Sequence, residues 1–137
     1  MAALTADRAT ETQEISINTL PMAASTKIYA GALVAIDAGY AKPAADTAFF
    51  KVVGLAIEQV DNSGGAAGAL NIRIRTVVIA RFDAVETVRL NPGSILYVVD
   101  DHTVGDATGT NSIKAGICWQ KISTTEVWLY MDPAALH

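Results

Sequence analysis

The residues of this 137-residue chain that could do chemistry are few and scattered. Histidine occurs only at His102 and His137, and cysteine only at Cys118. The densest polar group is "DDHT", where Asp100, Asp101 and His102 are adjacent. A metal site or catalytic triad needs side chains that converge on one point, and neighbours at a strand end splay apart. A solvated turn is the reading. Asp100, Asp101 and Asp106 also lack the Asp-x-Asp spacing and the closing glutamate of a calcium loop. Cys118 sits mid-strand beside Trp119 with no basic neighbour, which suits a buried filler rather than a nucleophile. Glu58, Asp61, Glu86 and Glu126 are the remaining acid–base candidates, and no motif joins them. No catalytic residue, cofactor or metal ligand is expected, and therefore no enzyme.

The run "VDNSGGAAGALNIRIR", from Val60, raises the question of a phosphate loop. Such a loop places its glycines between a strand and a helix, so that N–H groups point at the anion. Here Gly64, Gly65 and Gly68 lead instead into period-2 alternation, with no Lys-Ser/Thr after them. The loop reads as a turn between strands. The alternation aims Leu70, Ile72 and Ile74 at the core and Arg73 and Arg75 outward, with Val77 and Ile79 on that same outward side. Either this strand is covered on both faces, or its outer stripe meets another subunit, or a bulge at Thr76 resets the register. "EVWLYM" poses a similar question. Val127, Leu129 and Met131 share one face, and Trp128 and Tyr130 share the other with Glu126. The second face is either inter-sheet packing or a subunit or partner interface.

The elements that position these residues read as strands. "KIYAGALVAID" is two extended pieces broken at Gly31, followed by a turn at Gly39. "FFKVVGLAIEQV", "ALNIRIRTVVIARF" (the longest candidate) and "SILYVVD" follow, and "SIKAGICWQKI" with "EVWLYMD" forms a closing hairpin across "STT". "AADTAFF" is the best rival for a turn of helix. About eight strands in an all-β sandwich or barrel-like domain are expected. Residues 1–22 read as an extended N-terminal arm and 23–137 as a single compact β domain. The arm's "EISINTLP" alternates Ile15 and Ile17 with Ser16 and Asn18, the pattern of a strand added to a partner's sheet edge.

Composition narrows the function classes. The chain is 51% hydrophobic and 18% charged, enough for a packed core. A net charge of −4 gives no basic excess, so nucleic acid is not an expected partner. No apolar run reaches the length of a membrane span, so no membrane partner is expected either. "MAALTADRATETQE" lacks the basic and apolar regions of a signal peptide, so synthesis in the cytoplasm is expected.

Three stretches, "KIYAGALVAIDAGYAKPAADT", "VVGLAIEQVDNSGGAAGALNIRIR" and "LYVVDDHTV", resemble the small head decoration, or capsid cement, proteins of tailed bacteriophages and prophages. The likeness is strongest over 27–75 and 96–104 and weakest over 76–90. It implies a compact β domain that sits as a homotrimer on the outer surface of the virion's capsid. The major capsid protein would be the partner, contacted by the arm through Ile15, Ile17 and Leu20. It leaves Arg73, Arg75, Val77, Ile79, Trp128 and Tyr130 as possible subunit-interface residues. The rival expectation is a receptor- or glycan-binding β domain on the virion, using Trp119 or Trp128.

Overall fold

The computed structural model describes Ala3, Thr5, Ala6 and residues 16–133. Ile15, His137 and the arm's residues 1, 2, 4 and 7–14 lie outside the described residues. The described elements are all strands: β1 (Ile17–Pro21), β2 (Thr26–Ile28), β3 (Leu33–Asp37), β4 (Tyr40–Pro43), β5 (Lys51–Ala56) and β6 (Val60–Asn62). They continue as β7 (Asn71–Arg75), β8 (Val78–Val85), β9 (Ile95–Val98), β10 (Thr103–Gly105), β11 (Lys114–Lys121) and β12 (Glu126–Met131). The all-β expectation holds, with twelve strands rather than about eight. The surplus comes from pieces such as β2, β6 and β10, three residues each and too short to leave an alternation in the sequence. "AADTAFF" makes a turn and no helix.

Three sheets result. A five-stranded sheet runs β1-β7-β5-β3-β4, a closed barrel runs β10-β8-β12-β11-β9, and β2 pairs with β6 in a ribbon. The first sheet lies between two cores, and this explains why Leu33, Val34 and Ala35 are all buried in succession. Leu33 and Ala35 join the barrel interior with Phe82, Leu96, Leu129 and Met131. Val34 faces the other way, among Met22, Ile28, Ala41, Ile72 and Ile74. The β3–β4 hairpin closes through Ala38 (φ 51°) and Gly39 (φ 88°), the two positive φ values that match a right-twisted hairpin.

The longest strand candidate is two strands. Bends at Thr76 and Val77 end β7 and start β8, which carries the chain from the flat sheet into the barrel. Arg73 and Arg75 therefore lie on one sheet and Ile79 on another, and no single stripe joins them. Leu70 lies in the turn before β7 and is exposed, not in the core; Ile72 and Ile74 are fully buried as expected.

The stretch Ile17–Pro21 is a strand, but its partner is the chain's own β7, with Asn18 opposite Ile74 and Leu20 opposite Ile72. Leu20 packs on the second core, so the expectation that this strand adds to an edge elsewhere is corrected. The physical reason is local: β7 buries Ile72 and Ile74 and needs a covered edge. On β1, Ser16 O accepts from Thr76 N and Met22 N donates to Leu70 O, so the odd-numbered residues turn their backbone outward. Of their N–H groups, that of Thr19 is bonded to the Asn18 side chain at 2.9 Å and Pro21 has none.

The glycine-rich loop connects β6 to β7 as a turn. Asn62, buried, donates from Nδ2 to Ala23 O at 2.9 Å and Ala66 O at 3.1 Å. The N–H groups of Ser63, Gly65, Gly68 and Ala69 all donate within the protein. They are committed to the turn and do not converge on an anion.

Candidate functional site

Strict alternation on β12 buries Val127, Leu129 and Met131 and leaves Glu126, Trp128 and Tyr130 half-buried on the outside of the barrel. β8 does the same, with Phe82 and Ala84 inside and Ile79, Arg81, Asp83 and Val85 outside. Pairing then aligns the outer residues across the barrel wall. Ile79 lies opposite Tyr130, Tyr130 opposite Ile117, and Ile117 opposite Ile95. The result is one apolar row across β8, β12, β11 and β9, with Ile79 and Ile95 each 40% exposed. The second face of "EVWLYM" is thus an outer wall, not packing between sheets.

A bulge in β11 enlarges this surface. Cys118 pairs with Leu129 and Gln120 with Trp128, so Trp119 is left over. The extra residue keeps the Cys118 thiol inside and throws the Trp119 ring outward. Trp119 is 58% exposed, and its ring centroid is 6.0 Å from that of Tyr130. Tyr130 Oη donates to Asp132 at 3.2 Å, and this carboxylate pushes the phenol pKa up. Beside Trp128, Arg81 donates to Glu126 at 2.6 Å; that bond holds the carboxyl below its usual range. Arg81 and Glu126 thus offset one another within the chain, while Asp132 keeps its negative charge beside Tyr130.

The other residues singled out from sequence are dispersed. Arg73 donates to Glu58 at 3.0 Å, so its charge partner is in its own chain. The connection after β5 brings Glu58 alongside β7, and the Arg73 N–H bonds the same carboxylate. Arg75 is exposed and has no ion pair among the described residues, and Val77 is half-buried in the bend. Ile17 is exposed on β1, remote in the sheet order from the barrel row. Ile95, Ile117 and the bulged Trp119 belong with Ile79, Trp128 and Tyr130. Sequence reading did not group them, because the pairing that brings them together is non-local. The alternation of Ile95 against buried Leu96 was the only local signal.

The titratable groups serve the fold. Asp106 accepts from the N–H groups of Thr87, Val88 and Arg89 at 2.7–2.8 Å. Glu86 accepts from Lys121 at 2.7 Å and from the Leu90 N–H. His102 touches Asp83 at 3.2 Å and its ring leans on Phe82, within the exposed turn between β9 and β10. Burial pushes the Cys118 thiol up, away from reactivity. Among the described residues no three His, Cys, Asp or Glu side chains are grouped to hold a metal ion. Three surface depressions lined by described residues, of about 180, 190 and 260 Å³, fall short of the 300 Å³ or so of small-molecule sites. The arrangement is suited to binding by surface. Comparison with family models, with curated proteins and with solved structures returns no match to this chain.

Proposed function

We propose that this chain is a non-catalytic decoration protein that binds the outer surface of a tailed-phage head as trimers and stabilises the shell. The observation that carries the reading is the unpartnered apolar row Ile79–Tyr130–Ile117–Ile95 on the barrel wall, flanked by Trp119 and Trp128. Aromatic and aliphatic residues at the centre of a face with charged residues at its border are the composition of a protein interface. Like copies with a net charge of −4 repel one another broadly, and an apolar row offers them a surface on which to approach. The resemblance to head decoration proteins supplies the setting. The mechanism is mass action: a trimer spanning neighbouring capsid subunits binds the assembled, expanded shell and not its dissociated parts, which shifts the balance toward the shell.

The test is co-sedimentation with expanded heads lacking their decoration protein, followed by heating of the decorated and bare heads. Saturable binding and a raised temperature of head disruption are expected. Ile117→Lys should reduce the mass of the free protein in analytical ultracentrifugation while leaving its circular dichroism unchanged. Absence of binding to any expanded head would remove the reading. One observation favours the rival, glycan binding: Trp119 is exposed on a bulge next to Tyr130. Quenching of its fluorescence by oligosaccharides, with no binding to heads, would put that reading first.

A further inference from the structure

Phe49 combines two features that an ordinary loop residue avoids. Its ring is 90% exposed, the highest value of any large hydrophobic residue described. Its backbone lies in the left-handed region at φ 71°, a conformation that aromatic side chains disfavour. Within the chain the ring gains almost nothing for this strain, since it meets mostly solvent.

The surroundings hold it there. Three residues earlier, Asp46 accepts from the N–H groups of Thr110 and Asn111 at 2.8 Å, and Asn111 Nδ2 donates back to Asp46 O at 2.9 Å. One residue later, Phe50 packs against the barrel core, with Lys42 Nζ 5.7 Å from its ring centroid. The loop is thus pinned on both sides of Phe49, which stands out as a fixed knob. It borders a depression of about 260 Å³ shared with Lys51, Ser112, Ile113 and Lys114. Lys51 and Lys114 have no ion pair among the described residues, whereas Lys42 is taken by Asp37 at 2.9 Å. In an acidic protein, the lining of this depression carries two lysines and no acidic residue.

We infer that Phe49 is an aromatic anchor for docking on the head: its ring enters an apolar socket on the shell surface, and Lys51 and Lys114 meet an acidic rim around that socket. This rests on the decoration reading and assigns the shell-facing end of the molecule. A pinned side chain loses little conformational freedom on binding, and strain in the free protein is tolerated when a partner uses the result.

Expanded heads without their decoration protein are the probe, and binding is followed by co-sedimentation for wild type, Phe49→Ala, Phe49→Gly and the pair Lys51→Glu with Lys114→Glu. Both Phe49 variants are expected to bind about tenfold more weakly or worse. The charge reversal is expected to weaken binding most at low salt. Phe49→Gly separates docking from folding, because glycine accepts a positive φ freely. Its unfolding temperature should equal or exceed that of wild type while its binding falls. Wild-type affinity in either Phe49 variant would overturn the inference. So would a lower unfolding temperature for Phe49→Gly, which would give the ring a role in its own fold. A changed mass of free Phe49→Ala in ultracentrifugation would assign the knob to a second copy and overturn the shell partner. Failure of the wild type to bind heads would remove the decoration reading itself, and this docking with it.

Discussion

Asp106 holds a whole loop on one carboxylate. Burial pushes its carboxyl up, and the three N–H groups of Thr87, Val88 and Arg89 more than offset this, so the net direction is below the ordinary value of 3.8. A depressed acid stabilises the fold in full above its unfolded value, and the contribution is lost as pH falls through the lower folded value. The stabilisation from Asp106 is therefore present at neutral pH and fades below about pH 4. Asp106→Asn keeps the shape, removes the charge and replaces one accepting oxygen by an NH2 that faces N–H donors. It is expected to cost about 1–2 kcal/mol at pH 7, with the partly exposed site holding the figure below the upper range for charged hydrogen bonds. Urea midpoints measured from about pH 7 down to about pH 3 should show wild type and variant converging at the acid end. A constant gap would disprove the charge argument.

At the scale of elements, features set by nearby residues are legible in the sequence. The two faces of "EVWLYM", the break at Gly31, the Gly39 turn and the hairpin across "STT" depend on periodicity and turn residues within a few positions, and all are found. The break at Thr76–Val77 carries neither glycine nor proline, and Arg75 and Ile79 are an even number of residues apart, so the alternation offers an irregularity at Thr76 as one of three readings without marking a change of sheet. The bulge at Trp119 is equally silent. It becomes legible only when the β12 residues opposite are known, because two residues then compete for one place. Gly116 belongs with it: a Cβ there would overlap the Tyr130 carbonyl oxygen, so this glycine lets β11 lie close to β12 just before the bulge. The positive φ of Phe49 has no sequence signature.

For the molecule as a whole, β1 changes the meaning of the N-terminal segment. As a separate arm, residues 1–22 would be dispensable to the body. The structure instead makes Ile17–Pro21 the outer strand of the five-stranded sheet, with Leu20 against the core that includes fully buried Ile72 and Ile74. Deletion of 2–21 is expected to destabilise the protein by about 2 kcal/mol or more, through the lost strand pairing and the uncovered apolar area. Thermal unfolding of the truncated chain checks this, and an unchanged midpoint would restore the dispensable arm.

The same strand bears on how densely the protein can be stored. An open sheet edge is a template on which identical chains polymerise into fibres, and the hazard grows with concentration. Along β1 the Asn18 amide occupies the N–H of Thr19 and Pro21 offers none, so a second chain laid alongside would find two of its three outward donors missing. At the other edge, Ala23 N donates to Ala41 O and closes part of β4. The sheet is protected where it ends, which favours tolerance of crowding. Asn18→Ala combined with Pro21→Val would reopen the ladder, and thioflavin-positive fibres should then form at concentrations where the parent chain stays clear.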